Sequence, residues 1–416
     1  MSDILQVQNG PVLDTSITKI SEQTFNPTNP NALSNNDIIH FAINQSDYLP
    51  LLHRSYFLIS GRITVEETVA ATATTAEKQV TKAAQRTKLT NGGILYLFNR
   101  AEVRIDNQTV ESVSEPGLTC IPKIYSTFNE WDSRHLQVMG WEKDIPLDAD
   151  GRFHNVIIPF RVLFGLGEDL RQVLVNPKIE ILLTRSRTNN DAVFSSAAEN
   201  YTLTLERMQY RLPIVSVDDG QRLKFLKLIE KDKPLIVAFR AWDLYQYPLL
   251  PQTTKHTWTI KTTTQLEKPR YAIVFFQTNR SGNQLKDVSK FDHCNLRNIK
   301  LLLNNEAYPY EDVNQSFTKH DYNMFYHAYC SFSSTFNALP DPTPLLDIEN
   351  FKNKAPLFVI DCSRQRESLQ HGPIDVKLNF ESNNNFPEHT TAFCILIHDS
   401  VFEYSPLTSI IRKHEG

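Results

Sequence analysis

The chain carries the same landmarks twice, in the same order. A strand-like run from Asp37 to Asn44 leads into Tyr48-Leu49-Pro50-Leu51-Leu52, and another from Pro234 to Trp242 leads into Tyr247-Pro248-Leu249-Leu250. An alternating segment closes on Ile105-Asp106-Asn107, and a second on Leu303-Asn304-Asn305. Pro177 and Pro373 each open an alternating strand, and long apolar runs close at Pro213 and Pro406. Members of each pair stand about 200 positions apart, which is the mark of two structurally equivalent units. The length of 416 residues agrees, because a single core stops growing well short of it.

Period-2 alternation dominates both halves. Phe57, Ile59, Ile63 and Val65 point one way, and Tyr56, Ser60, Arg62 and Thr64 the other. Ile374, Val376, Leu378 and Phe380 are separated by Asp375, Lys377 and Asn379. Strands with one dry and one wetter face belong to antiparallel sheets. The pattern predicts eight strands in the first half, at 37–44, 55–65, 93–98, 101–106, 108–113, 153–161, 178–185 and 200–213. It predicts eight more at 234–242, 254–264, 270–278, 295–304, 306–309, 356–362, 374–381 and 391–404. The expected fold is therefore all-β, two tandem eight-stranded antiparallel jelly rolls with a few short helices.

The expected organisation is an extended arm over 1–36, a first roll over 37–215, a linker over 216–233, a second roll over 234–405 and a tail over 406–416. The arm is polar, and Asn26-Pro-Thr-Asn-Pro-Asn31 disfavours helix and makes a packed strand unexpected. Asp219 is placed to cap a linker helix through Leu223, Leu226 and Ile229. Short helices are expected at 121–131 and 321–332, in equivalent places of the two halves. The Ala/Thr-rich stretch from Glu66 to Lys88 reads as a surface insertion, as do Thr278–Lys290 and Ser331–Lys354.

Charge and cysteine content narrow the function. A net charge of −4 argues against a nucleic-acid grip spread over the whole fold, leaving no specific nucleic-acid site expected. No apolar run reaches the ~18 residues of a membrane span. Met1 to Asn9 lacks the basic and apolar regions of a secretory signal, and five cysteines without a C-x-x-C pair read as reduced thiols. A cytosolic or nuclear setting is expected.

No reactive constellation emerges, so no catalytic, cofactor or metal residues are expected. Gly165-Leu166-Gly167 opens no β-α-β pattern. His320 and His327 are seven apart, and Asp292-His293-Cys294 reads as the start of a strand rather than a Cys–His pair. His398-Asp399 marks a strand's exit. Asp148-Ala149-Asp150-Gly151 lacks the Glu that closes a calcium loop and reads as a tight turn. Tyr322, Phe325, Tyr326 and Tyr329 fall at helical spacing, as a stripe packed on a sheet or on a neighbouring subunit would. Arg185, Arg187, Lys224 and Lys227 interleave with acids and form no stripe.

Four segments carry a resemblance: Ile145-Pro-Leu-Asp-Ala-Asp-Gly-Arg-Phe153, Gln265-Leu-Glu-Lys-Pro-Arg270, Phe291-Asp-His-Cys-Asn-Leu-Arg-Asn298 and Phe358-Val-Ile-Asp-Cys362. With the doubled architecture, they resemble double jelly-roll major capsid proteins of the lineage of adenovirus hexons, virophages and Polinton or adintovirus elements. The resemblance spans roughly residues 37–405. It implies a homotrimer with a pseudo-hexameric outline that tiles an icosahedral DNA-virus shell and is not an enzyme. It also implies a single jelly-roll penton partner and a place in the virion capsid. The resemblance puts subunit contacts in the linker helix around Leu223–Ile229, the aromatic helix around Tyr322–Tyr329 and the arm before Asn36. Short insertions make tall towers unexpected. Tandem jelly rolls are also found in glycan amidases and copper monooxygenases, and a carbohydrate-binding module is a further alternative. The missing signal and odd cysteines argue against the two enzymes. A shallow aromatic groove would favour the binding module.

Overall fold

The computed structural model of the chain describes residues 16–45, 48–69, 78–262, 268–304, 306–338, 344–364 and 375–413. Residues 1–15 of the expected arm, Asn305, Pro373 and parts of the expected insertions at 70–77 and 339–343 lie outside that set. The first half carries β1 (Ile17–Phe25), β2 (Ile38–Ile43), β3 (Tyr56–Val69), β4 (Lys78–Ala83), β5 (Thr87–Leu89), β6 (Phe98–Ile105), β7 (Gln108–Ser114), β8 (Arg152–Pro159), β9 (Ile179–Arg185), β10 (Val193–Ser195) and β11 (Tyr201–Val217). The second carries β12 (Leu235–Tyr247), β13 (Lys255–Thr262), β14 (Pro269–Thr278), β15 (Leu296–Leu303), β16 (Glu306–Tyr308), β17 (Phe358–Asp361), β18 (Asp375–Ser382), β19 (Thr390–Ser405) and β20 (Ile410–Lys413). The α-helices are α1 (Pro116–Thr127), α2 (Glu130–Leu136), α3 (Phe160–Leu163), α4 (Gly165–Asp169), α5 (Asp219–Glu230), α6 (Asn323–Asn337) and α7 (Ile348–Asn353).

The pairing makes two jelly rolls. In the first half one sheet runs β1-β11-β3, with β8 and β4 sharing the far edge of β3, and the other sheet runs β2-β9-β6-β7. In the second half the sheets run β12-β19-β14-β17 and β13-β18-β15-β16. Setting aside the short strands β4, β5, β10 and β20, each half has eight antiparallel strands in the same order. The first strand pairs with the last, the last with the third, and the second with the next-to-last. The alternation does what it predicts: Val376, Leu378 and Phe380 are buried while Asp375, Lys377 and Asn379 stay half-exposed.

Several expectations need correction. The arm contains the true first strand. β1 pairs along most of its length with β11, from Ile17 opposite Val217 to Phe25 opposite Tyr210, so the first roll begins near Ile17 rather than at 37. Its residues are mostly exposed, and backbone pairing at a sheet edge leaves no hydrophobic alternation to read. The expected strand at 93–98 is instead a buried 3-10 turn over Gly93–Leu97, entered through Gly92 at φ +63°. A short, wholly apolar run is ambiguous between strand and helix. The expected eight strands of the first half thus include this turn in place of β1. The landmark pairing shifts too: β12 corresponds to β1, and Ile38–Ile43 to Lys255–Thr262.

Smaller corrections follow the same lines. The 66–88 stretch continues β3 and adds β4 and β5. The tail adds β20 against β19. The helix expected at 121–131 is two helices, the second capped by Asn129, whose side chain accepts from Asp132 N–H at 2.8 Å. The cap of α5 is Asp218, which accepts from Gln221 N–H at 2.8 Å.

Buried side chains form one continuous cluster through both rolls. The rolls are thus fixed relative to each other by shared packing rather than tethered by a linker. No described helix is long and apolar enough to cross a membrane.

Candidate assembly surfaces

The two rolls meet along a seam built by the helices that follow the fifth strand of each roll. α1 packs on α6, and α4 on β12. The aromatic stripe of α6 lies inside this seam, with Phe325, Tyr329, Phe332 and Phe336 all buried. Phe325 meets Phe358 edge-on at 4.9 Å, Phe332 meets Tyr271 at 4.9 Å, and Phe336 meets Trp242 at 5.6 Å. Tyr329 donates its hydroxyl to the Tyr125 carbonyl at 2.6 Å, and Asn337 donates to the Thr127 carbonyl at 2.7 Å. The stripe therefore joins the two halves of one chain. Of the two partners expected for it, a sheet is the one seen, with Phe325 on Phe358 of β17 and Phe332 on Tyr271 of β14; helical spacing gives a buried face without saying what buries it.

Charged groups reinforce the seam. The Glu111 carboxylate of β7 accepts the N–H groups of Gly165 and Leu166, at 2.7 and 2.9 Å. Burial pushes this carboxyl up to about 7, against those two donors and Lys123, which pull it down. Lys123 is buried, pairs with Glu168 at 3.0 Å and donates to the Arg161 carbonyl at 3.0 Å. Across the seam, Arg240 of β12 clamps Asp169: its backbone N–H donates at 2.8 Å and its guanidinium at 3.0 and 2.5 Å. The same guanidinium lies over the Phe336 ring, 3.5 Å from its centre. Further ties lie along the seam, from Tyr96 Oη to the Val288 carbonyl at 3.0 Å and from Tyr404 Oη to the Val175 carbonyl at 2.9 Å.

The residues weighed for chemistry do not converge. Among the described residues no group of three or more His, Cys, Asp and Glu could hold a metal ion. The His293 ring stacks on Phe317 at 4.5 Å, and its Nδ1 accepts the Asn295 N–H at 2.9 Å. Burial pushes the neighbouring Cys294 thiol up to about 12, so it is not a ready thiolate. His320 and His327 are exposed. Gly165 and Gly167 belong to α4 and pack in the seam. Asp148 closes a turn by accepting the N–H groups of Asp150 and Arg152 at 2.9 and 2.8 Å, as expected. Asp399 pairs with Arg270.

Where the chain crosses from one roll to the other, an apolar surface is left open. None of α5 is buried, and Leu223 and Leu226 are 57% and 48% exposed. Ile17 and Ile20 of β1, Ile236 of β12, Leu407 and Ile410 are also exposed. The pairing of Ile17 with Val217, Leu235 with Tyr404 and Ser405 with Ile410 gathers these residues at the same end. Patches of this kind mark interaction surfaces. Sequence reading singled out α5 but missed Glu111, Lys123 and Arg240. Their signal, charged residues at inward positions of β7, α1 and β12, becomes visible only once the two halves are docked.

Comparison with known proteins reaches the same architecture. The model of the double jelly roll-like domain matches residues 87–402. The mavirus major capsid protein is similar in fold, with TM-score 0.58 and 9% identity over 99% of this chain and 92% of that one. A chain of the Sputnik virophage gives TM-score 0.59 and 10% identity over 99% and 92%. The Faustovirus major capsid protein gives 0.57 and 8% over 95% and 92%. No curated protein matches by sequence.

Proposed function

Because the chain belongs to the double jelly roll-like domain family, we propose that it is a major capsid protein and that its role is assembly rather than catalysis. The carrying observation is the likeness over nearly the full length, both rolls together, to virophage and Faustovirus capsid chains. The seam gives that likeness a physical meaning. Two rolls locked by a shared core make a rigid unit with two near-equal lobes. Three such units around one axis give a six-lobed outline with closed symmetry, which fills hexagonal positions in a shell with one gene product.

On this reading the units are residues 17–217 and 235–405, joined by α5, and the end bearing α5 is the base. Leu223, Leu226 and the neighbouring exposed aliphatics there are available to subunit contacts, since interfaces of obligate assemblies bury thousands of square ångströms, roughly 2,000–5,000. A single jelly-roll protein would fill the five-fold positions, and the shell would be built from chains made in the host cytoplasm or nucleus. The likeness in fold to capsid proteins supports a non-enzymatic role. Sedimentation of the purified chain tests the proposal. A species near three times 47.8 kDa across a range of concentrations is expected. A monomer at every concentration, with no assembly on raising salt or concentration, would sink it.

A further inference from the structure

At the end remote from α5, a groove of about 980 Å3 opens between the two rolls. It lies at Tyr201, where β11 begins, about 50 Å along the strand from Val217, where the chain leaves for α5. Its rim is held across the seam. Asn190 donates to the Gly282 carbonyl at 3.3 Å and accepts the Tyr201 hydroxyl at 2.8 Å. Asp191 accepts the Gly282 N–H at 2.6 Å, and Ser195 N–H donates to the Gln284 carbonyl at 2.7 Å. The groove thus lies between the first roll and the 282–285 loop of the second, and these bonds tie that loop down.

Its chemistry is specific. Beneath it lies Arg185, only 2% exposed, whose guanidinium makes no hydrogen bond to a carboxylate among the described residues. Neutral oxygens satisfy it instead: the Leu97 carbonyl at 2.5 Å, Asn189 Oδ1 at 2.9 Å and Asn35 Oδ1 at 3.1 Å. Both asparagines line the groove. Arg185 turns their oxygens toward itself, so their NH2 groups point away from it, and that of Asn189 donates to the Leu203 carbonyl at 3.2 Å. The lining also holds one exposed guanidinium, Arg187, and two carboxylates, Glu66 and Glu199.

We propose that this groove binds a glycan bearing a single carboxylate, with Arg187 pairing that carboxylate, and Glu66, the NH2 group of Asn35 and Glu199, one of whose oxygens already accepts the Thr87 hydroxyl, taking sugar hydroxyls. The size suits a short oligosaccharide. Fixed planar amides and carboxylates match hydroxyls, which both donate and accept. Among the described lining residues a polyanion such as nucleic acid would meet two carboxylates for each exposed cation, whereas a ligand with one acid can set it on Arg187 and turn only hydroxyls toward Glu66 and Glu199. If the α5 end is the base, the groove faces outward, but the binding chemistry does not depend on that.

The test is titration of the purified full chain with sialyllactose, a hyaluronan disaccharide and neutral lactose, read by saturation-transfer NMR. One of the two acidic probes should bind at least about tenfold more tightly than lactose, as a charge-assisted pair to Arg187 requires. Which of the two wins identifies the acid as a sialic or a uronic acid. Arg187→Ala should reduce that probe to the level of lactose while the melting temperature stays within a degree or so of the parent. Equal binding of acidic and neutral probes, no binding of any probe, or full binding by Arg187→Ala would each overturn the proposal. Particle mass measured on the same sample reports on assembly separately, so a failed titration leaves the capsid reading standing.

Discussion

Gly165→Ala should pry the two rolls apart. A Cβ on Gly165 would sit 1.9 Å from the Arg240 carbonyl oxygen, where ordinary contact needs about 3.2 Å. Both sides are backbone, one in α4 and one in β12, so no side chain can swing away. The seam must open by more than about 1 Å at this point. Opening it that far stretches the bonds from Arg240 to Asp169, now 2.8 Å from the backbone N–H and 3.0 and 2.5 Å from the guanidinium. Overpacking costs about 1–3 kcal/mol, and each hydrogen bond to a charged group about 1.5–3 kcal/mol. With partial relaxation, the loss is on the order of 4 kcal/mol, or roughly 10 °C in melting temperature for units of this size. Thermal and urea unfolding at fixed protein concentration would read it, because assembly makes stability depend on concentration. Gly220→Ala is the control: nothing lies closer than 3.7 Å to its Cβ, and it should be neutral or slightly stabilising. If Gly165→Ala unfolds within about 1 kcal/mol of the parent, the tight seam described above is wrong.

Two further predictions follow from the seam and the base. Glu111 is raised from 4.5 to about 7 in the folded chain, so folding favours its protonated form. Its contribution is intact below pH 4.5 and is lost as the pH climbs through 7, a loss of roughly 3 kcal/mol. Glu111→Gln should flatten stability between pH 5 and 8, and an unchanged slope in denaturant titrations at those pH values would contradict the assignment. Leu223→Asp with Leu226→Asp, both on the exposed side of α5, should leave the unfolding of the isolated chain within about 0.5 kcal/mol while weakening assembly, and light scattering that shows no change in assembly would remove α5 from the interface.

What the sequence made legible was the part of the fold that alternates. Strands such as β18 and β15 bury one face and wet the other, and each was readable to within a residue or two. β1 was not, because an edge strand is held by backbone hydrogen bonds to β11 while most of its side chains face water. The 3-10 turn at Gly93–Leu97 was not, because complete burial erases the period that separates strand from turn. The repeat itself survived both errors: β6 and β15 still match, while the strands ahead of them, and with them Tyr48–Leu52, are paired one place out. The aromatic stripe on α6 was legible as a buried face, but its partner was not. Tyr329 reaches Tyr125 from about 200 positions away, and nothing local encodes that contact. The same holds for Arg185, which reads as one more basic residue until Asn35, Leu97 and Asn189 are seen to surround it.

The most direct test of the assembly proposal is electron microscopy of the purified chain viewed down the particle axis. Averaged images should show three-fold symmetry with six lobes, two from each 47.8 kDa chain. Particles with two lobes and no rotational symmetry, with a monomer mass in solution at concentrations well above those used for imaging, would contradict the capsid reading.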